Sequence, residues 1–138
     1  MTADAITQFR PGSAWVRMGI VGMSGIQELA AMAKAAGVRF VEAPVSGSRE
    51  PAQSGELLIL AGGQLSIRTE VQPVFDAVGR ATIWAGEKAG PSTSLKVAVN
   101  AWLISLLGCW GEALMLAGTL GANRGAFRKR SPAGPWML

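Results

Sequence analysis

After the Pro11-Gly12 turn, Ala14, Val16, Met18 and Ile20 fall on alternate positions, the two-residue period of a strand. From Ser24 the period lengthens. The run "GIQELAAMAKAAG" places Ser24 and Gln27 at capping-box spacing and Gly37 at a C-terminal stop, which predicts a helix. Residues 38–45, "VRFVEAPV", are rich in β-branched and aromatic residues and predict a strand that ends at Pro44 and the Ser46-Gly47 pair. Strand, helix and strand at this spacing make a βαβ unit with parallel strands.

Residues 56–63, "ELLILAGG", form a short continuous apolar run, the pattern of a buried strand. A helical stretch over residues 66–78 is expected to break or restart at Pro73 and to close at Gly79. Residues 80–86, "RATIWAG", predict another strand. The turn-rich stretch 86–92 then marks a boundary, and residues 93–120 follow as one long apolar helix. Lys96, Asn100 and Glu112 interrupt it, leaving eleven residues between Asn100 and Glu112, whereas a membrane span needs about twenty. A helix buried on most faces, between a domain and a partner subunit, accounts for the composition at less cost than a membrane span.

Composition narrows the function. An apolar share of 49% against 16% charged residues supports a packed core. The net charge of +4 resides in Arg124, Arg128, Lys129 and Arg130, because the rest of the chain carries nine basic and nine acidic residues. A basic tail without a basic groove argues against specific nucleic-acid binding. The chain has no histidine and one cysteine, so no His-based triad, His- or Cys-rich metal site or internal disulfide is available, and no metal is expected. Cys109 is expected as a buried small hydrophobe. No secretory signal pattern opens the chain, which makes the cytoplasm the expected compartment.

Two segments have residues suited to chemistry. In "EAPVSGS", residues 42–48, a strand runs into a loop, and ligands of open α/β sheets gather beyond the carboxyl ends of strands. Its Ser-Gly step can offer a hydroxyl and bare N–H groups to a carboxylate, although the same residues also suit a plain turn. In "GPSTSLKVAVN", residues 90–100, Lys96 and Asn100 stand four apart and share one helix face. An ammonium within an apolar helix is partly desolvated, which lowers its pKa and suits it to proton transfer. The alternative is a lysine that reaches out to water, with Asn100 on the helix surface.

Taken in order, "PGSAWVRMGIVG", "GVRFVEAPVSGSREPAQSGELLILAGG", "VQPVFDAVGRATIWAGEKAGPSTSLKVAVN" and "GEALMLAGTLGAN" resemble the β-hydroxyacid dehydrogenases, which include 3-hydroxyisobutyrate dehydrogenases and tartronate semialdehyde and glyoxylate reductases and are related to 6-phosphogluconate dehydrogenases. The resemblance covers nearly all of positions 11–123. It implies an α/β fold: the C-terminal part of a Rossmann-type NAD(P)-binding domain over residues 1–89, without its first βαβ unit. Residues 90–138 would begin an all-helical domain with the long interdomain helix, and an atypical basic tail would start at about residue 121.

The resemblance also implies the site. Ser46, Gly47 and Ser48 would bind the substrate carboxylate, Lys96 would be the general acid/base, and Asn100 would orient the substrate. The reaction would interconvert a β-hydroxyacid and its semialdehyde or keto acid, with NADP or NAD as cofactor. The expected partners are a small hydroxyacid and, in complete relatives, a second copy of the chain; no membrane is expected. Departures stand beside the matches. The G-x-G-x-x-G turn that cradles the pyrophosphate is not matched, so cofactor-binding residues stay unassigned. Ile20 replaces the usual threonine near the cofactor, and Ser92 replaces the glycine often found four residues before the lysine. By itself the chain is then expected to be inactive. The alternative function is a non-catalytic module that pairs with a full-length dehydrogenase through the long helix.

Overall fold

The computed structural model describes residues 6–130. Its elements run β1 (Ala14–Arg17), α1 (Gly22–Ala35), β2 (Arg39–Glu42), β3 (Val45–Ser46), α2 (Arg49–Ser54), β4 (Leu57–Gly62), a 3-10 turn (Leu65–Ile67), α3 (Arg68–Val78), β5 (Gly79–Gly86), α4 (Pro91–Thr119) and α5 (Arg124–Arg130). The fold is α/β with a mixed sheet. β1 and β2 pair in parallel, as the βαβ reading required, but β4 runs antiparallel to β2 and β3, and β5 is parallel to β4.

Register explains how the sheet divides its side chains. Glu42 pairs with Gly62, Val45 with Ile59 and Ser46 with Leu58, so β2 and β3 form one strand path in unbroken register along β4. Alternation then sends Val41, Ala43, Ile59 and Ala61 to one face, where they are buried with Ile67, Val71 and Phe75 beneath α3. Trp15 and Phe40 project from the other face and pack with Ala33, Val38 and Met32 beneath α1. β4 is buried along almost its whole length, as a continuously apolar run requires. β1 lies at the end of the strand order, and among the described residues its outer edge is unpaired.

Several local expectations are corrected. α1 begins at Gly22, two residues before Ser24, and no side chain caps it, so the Ser24/Gln27 box does not form. Pro73 lies inside α3 without ending it. As the sixth residue of an 11-residue helix it removes the one N–H that would reach the Thr69 carbonyl, while Val71 and Phe75 on either side of it stay buried. Gly79 ends α3 in an extended conformation and opens β5 directly. Arg49–Ser54 is helical, which the polar composition of that loop did not suggest.

The compact units divide between Val97 and Ala98, inside α4. In the second unit, α5 is capped by Asn123, whose Oδ1 accepts from the N–H groups of Gly125 and Ala126 at 2.8 and 3.1 Å. Residues 131–138 of the expected basic tail lie outside the described residues. In the second unit Trp102 is 53% and Ile104 69% exposed in the single chain. Cys109, on the same helix, is exposed rather than buried. By length and composition α4 is long and apolar enough to cross a membrane.

Candidate active site

Glu42 ends β2 and is completely buried, a costly position for a carboxylate unless donors surround it. Four do. Its Oε1 accepts from the Gly90 N–H at 2.7 Å, the Ser92 N–H at 2.9 Å and the Ser92 hydroxyl at 2.6 Å. Its Oε2 accepts from the Thr93 hydroxyl at 2.7 Å. The first N–H groups of any helix lack intrahelical partners and carry its positive dipole end. A strand-borne carboxylate therefore caps α4 from 48 to 51 positions earlier in the chain. The Ser94 hydroxyl reaches Met23 Sδ at 3.3 Å, so this first turn lies on the α1 side of the sheet.

Lys96 belongs to the next turn. It follows Ser92 by four residues and hence emerges from nearly the same side of the helix, the side gripped by Glu42. Only 9% of it is exposed. Burial holds its ammonium below the ordinary lysine value, as the apolar helix implied. Among the described residues no ion pair reaches it.

Ser46 lies four residues beyond Glu42 on the same strand path, so the constant register keeps it on the same face of the sheet, about 13 Å further along. Gly47 follows at φ 142°, and a Cβ there would lie 2.8 Å from Leu57 Cδ2 and 3.2 Å from Pro51 Cβ. That bend needs glycine. Ser48 precedes α2 in an extended conformation without a side-chain cap bond. No hydrogen bond joins Lys96 to Ser46, Gly47 or Ser48 among the described residues. Asn100 follows Lys96 by four residues on α4, in the second unit. Ile20 is exposed, just beyond the carboxyl end of β1, with Val21 and Met23 beside it. A cavity of about 430 Å³ opens elsewhere, at the start of β2 against Lys34, Phe40 and Lys88, and does not include these residues.

Sequence reasoning missed Glu42, Ser92 and Thr93 as a unit. The signal was present: an acid within the apolar run "VRFVEAPV" must find donors, and two hydroxyl residues wait directly after Pro91.

Residues 1–86 match a family described as the NAD binding domain of 6-phosphogluconate dehydrogenase. Over 87 residues the chain is 39% identical to glyoxylate/succinic semialdehyde reductase 1 of Arabidopsis thaliana, an alignment covering 63% of this chain and 30% of that protein. It is 33% identical over 115 residues to the human cytokine-like nuclear factor N-PAC, covering 83% of this chain and 21% of that one. Among solved structures, Mycobacterium tuberculosis 3-hydroxyisobutyrate dehydrogenase with L-serine superimposes with a TM-score of 0.85 at 25% identity, over 98% of this chain and 47% of that one. The chain thus spans a third or less of the curated relatives and under half of the solved ones.

Proposed function

Because the chain belongs to the family of the NAD binding domain of 6-phosphogluconate dehydrogenase, we propose that its residues carry the substrate-binding and proton-transfer part of an NAD(P)-dependent hydroxyacid dehydrogenase. The observation that carries this reading is Lys96. It is a buried amine with a lowered pKa, on a helix whose first turn is fastened to the strand that continues to Ser46. An amine that loses its proton more readily than an ordinary lysine can take the hydroxyl proton of a β-hydroxyacid and return it to the carbonyl of the semialdehyde or keto acid. Ser46, Gly47 and Ser48 hold the substrate carboxylate, and Asn100 orients the reacting oxygen.

The residues present fit one end of the dinucleotide. Exposed Ile20, Val21 and Met23, beyond the carboxyl end of β1, offer an apolar surface for a nicotinamide ring, while no glycine-rich turn for a pyrophosphate occurs in these 138 residues. When bound, the nicotinamide exchanges hydride with the substrate carbon. This chain's own residues bind the acid group and move the proton.

The bare apolar surface of α4 favours a second reading, a non-catalytic module that pairs with a full-length dehydrogenase through this helix. One set of measurements separates the two. The purified chain is titrated with NADH and NADPH while nicotinamide fluorescence is followed. Turnover of small β-hydroxyacids is then assayed with a dinucleotide-binding βαβ unit fused ahead of residue 1. Saturable binding and turnover, with Lys96→Ala lowering kcat by about 10²- to 10⁴-fold and leaving cofactor binding intact, is the expected result. Turnover indifferent to Lys96 would remove the lysine from the mechanism. No binding, together with co-purification of a complete dehydrogenase, would favour the pairing module.

A further inference from the structure

The buried carboxylate of Glu42 does more than satisfy four donors. It is fixed in the sheet, while the groups that it holds all belong to the start of α4. A helix capped by its own neighbouring residue keeps its hydrogen bonds but remains free to tilt and rotate on the surface beneath it. A helix capped by a strand does not. Two features make the grip stereospecific. Oε1 collects a backbone N–H and a hydroxyl from the same residue, Ser92, and Oε2 collects the hydroxyl of the next one, which together set the rotation of the first turn. Gly62, the register partner of Glu42, leaves room for this. A Cβ there would collide with the Ser92 hydroxyl and stand 2.8 Å from Glu42 Oε1.

We propose that Glu42 is the positioning residue of this site: by locking the rotation of the first turn of α4, it fixes where the Lys96 amine stands on its side of the sheet. The proposal rests on reading Lys96 as the acid/base, but its mechanics do not. Ser92 and Lys96 are four residues apart, so any rotation of the first turn carries the lysine with it. The same strand path holds Glu42 and Ser46 in unbroken register, so one rigid element positions both the helix bearing the amine and the loop read as the carboxylate site. Ser92 contributes a bond that a glycine at that position could not make.

The experiment reads Lys96 directly in the 138-residue chain, without turnover. Acylation by acetic anhydride is followed at Lys96, and at exposed Lys88 as an internal reference, by peptide mass spectrometry across pH 7–11. The chains compared are the native protein, Glu42→Gln, Glu42→Asp and Glu42→Ala. In the native protein the Lys96 midpoint lies below the ordinary lysine value, held there by burial. Glu42→Ala is expected to move the midpoint up toward that ordinary value and to raise the limiting rate about tenfold, as the first turn opens to water. Glu42→Asp keeps the charge but loses a methylene of reach, and follows alanine. Glu42→Gln keeps one acceptor oxygen for Gly90 and Ser92 but sets an NH2 against the Thr93 hydroxyl, which must turn to accept, and falls between the native and alanine profiles, nearer the native.

Hydrogen exchange at the amides of Leu57–Gly62 checks that the sheet is intact. If Glu42→Ala does not fold, Thr93→Val and Ser92→Ala, each removing one donor, are expected to shift Lys96 in the same direction by smaller amounts. An unchanged Lys96 profile in folded variants overturns the proposal, as does an aspartate variant that matches the native profile while glutamine behaves like alanine. Since acylation requires neither cofactor nor substrate, these outcomes are independent of whether Lys96→Ala affects turnover.

Discussion

The contact between Gly62 and Ser92 lends itself to a double-mutant cycle. Gly62 occupies the last position of β4 directly across from Glu42, and its backbone lies in a region open to any residue. Gly62→Ala therefore tests space alone. The added methyl falls far inside the van der Waals boundary of the Ser92 hydroxyl, 2.8 Å from Glu42 Oε1 and 3.1 Å from Glu42 Cγ. Relief requires the first turn of α4 to lift away or Glu42 to change rotamer, and overpacking of this kind costs about 1–3 kcal/mol. Ser92→Gly removes the hydroxyl and its bond to a charged acceptor, a loss of about 1.5–3 kcal/mol before any solvent compensation. In the double variant the worst collision has no partner left, and only the contacts with Glu42 remain. The two penalties should then fall short of additivity by about 1 kcal/mol or more. Urea unfolding of the four proteins, followed by tryptophan fluorescence, gives the four stabilities. Penalties that add within about 0.5 kcal/mol would refute the reasoning, because non-interacting sites behave that way.

Two further outcomes follow from the same geometry. Lys96→Met keeps an unbranched side chain, one atom shorter, and removes the buried charge. The pKa of Lys96 is depressed in the folded state, so between that value and the unfolded value near 10.5 the unfolded chain binds more protons, and native stability rises with pH through that window. The methionine variant should accordingly be more stable than the native protein at neutral pH, with the gap closing toward pH 10.5; thermal unfolding at several pH values checks this. Gly47→Ala forces a side chain onto φ 142° and against Leu57 and Pro51, and should cost about 1–3 kcal/mol in denaturant unfolding, whereas an alanine at exposed Ser48 should cost much less.

Much of the architecture was legible in the chain. The start of the alternation in residues 14–20 and the β-branched run around Phe40 marked the parallel pair, although β1 ends at Arg17, short of Met18 and Ile20, and the continuous apolar run in residues 56–63 marked β4 as buried on both faces. These signals are local, since a period of two or a run of apolar residues expresses itself within one element. Lys96 was singled out on the same ground: an ammonium in so apolar a helix has few ways to reach water. The two misreadings share a cause, since spacing within one element does not say what packs on it. Ser24 and Gln27 had the spacing of a cap, yet α1 starts earlier at Gly22, since burial of Ile26 and Ala33 fixes the helix more strongly than a capping preference of about 1 kcal/mol. Cys109 is exposed in the single chain, because hydrophobicity records a tendency to be buried and not the surface that does the burying.

What the sequence determined by itself was the set of elements, the parallel start of the sheet and the amine within an apolar helix, because each is written in the spacing of neighbouring residues. Only the tertiary structure decided that β4 would turn antiparallel to β2, setting Gly62 opposite Glu42. It also decided that this glutamate would reach across about fifty residues to hold Gly90, Ser92 and Thr93. A buried carboxylate must find donors, but which donors it finds depends on strand order and register, and those are settled by the whole sheet at once.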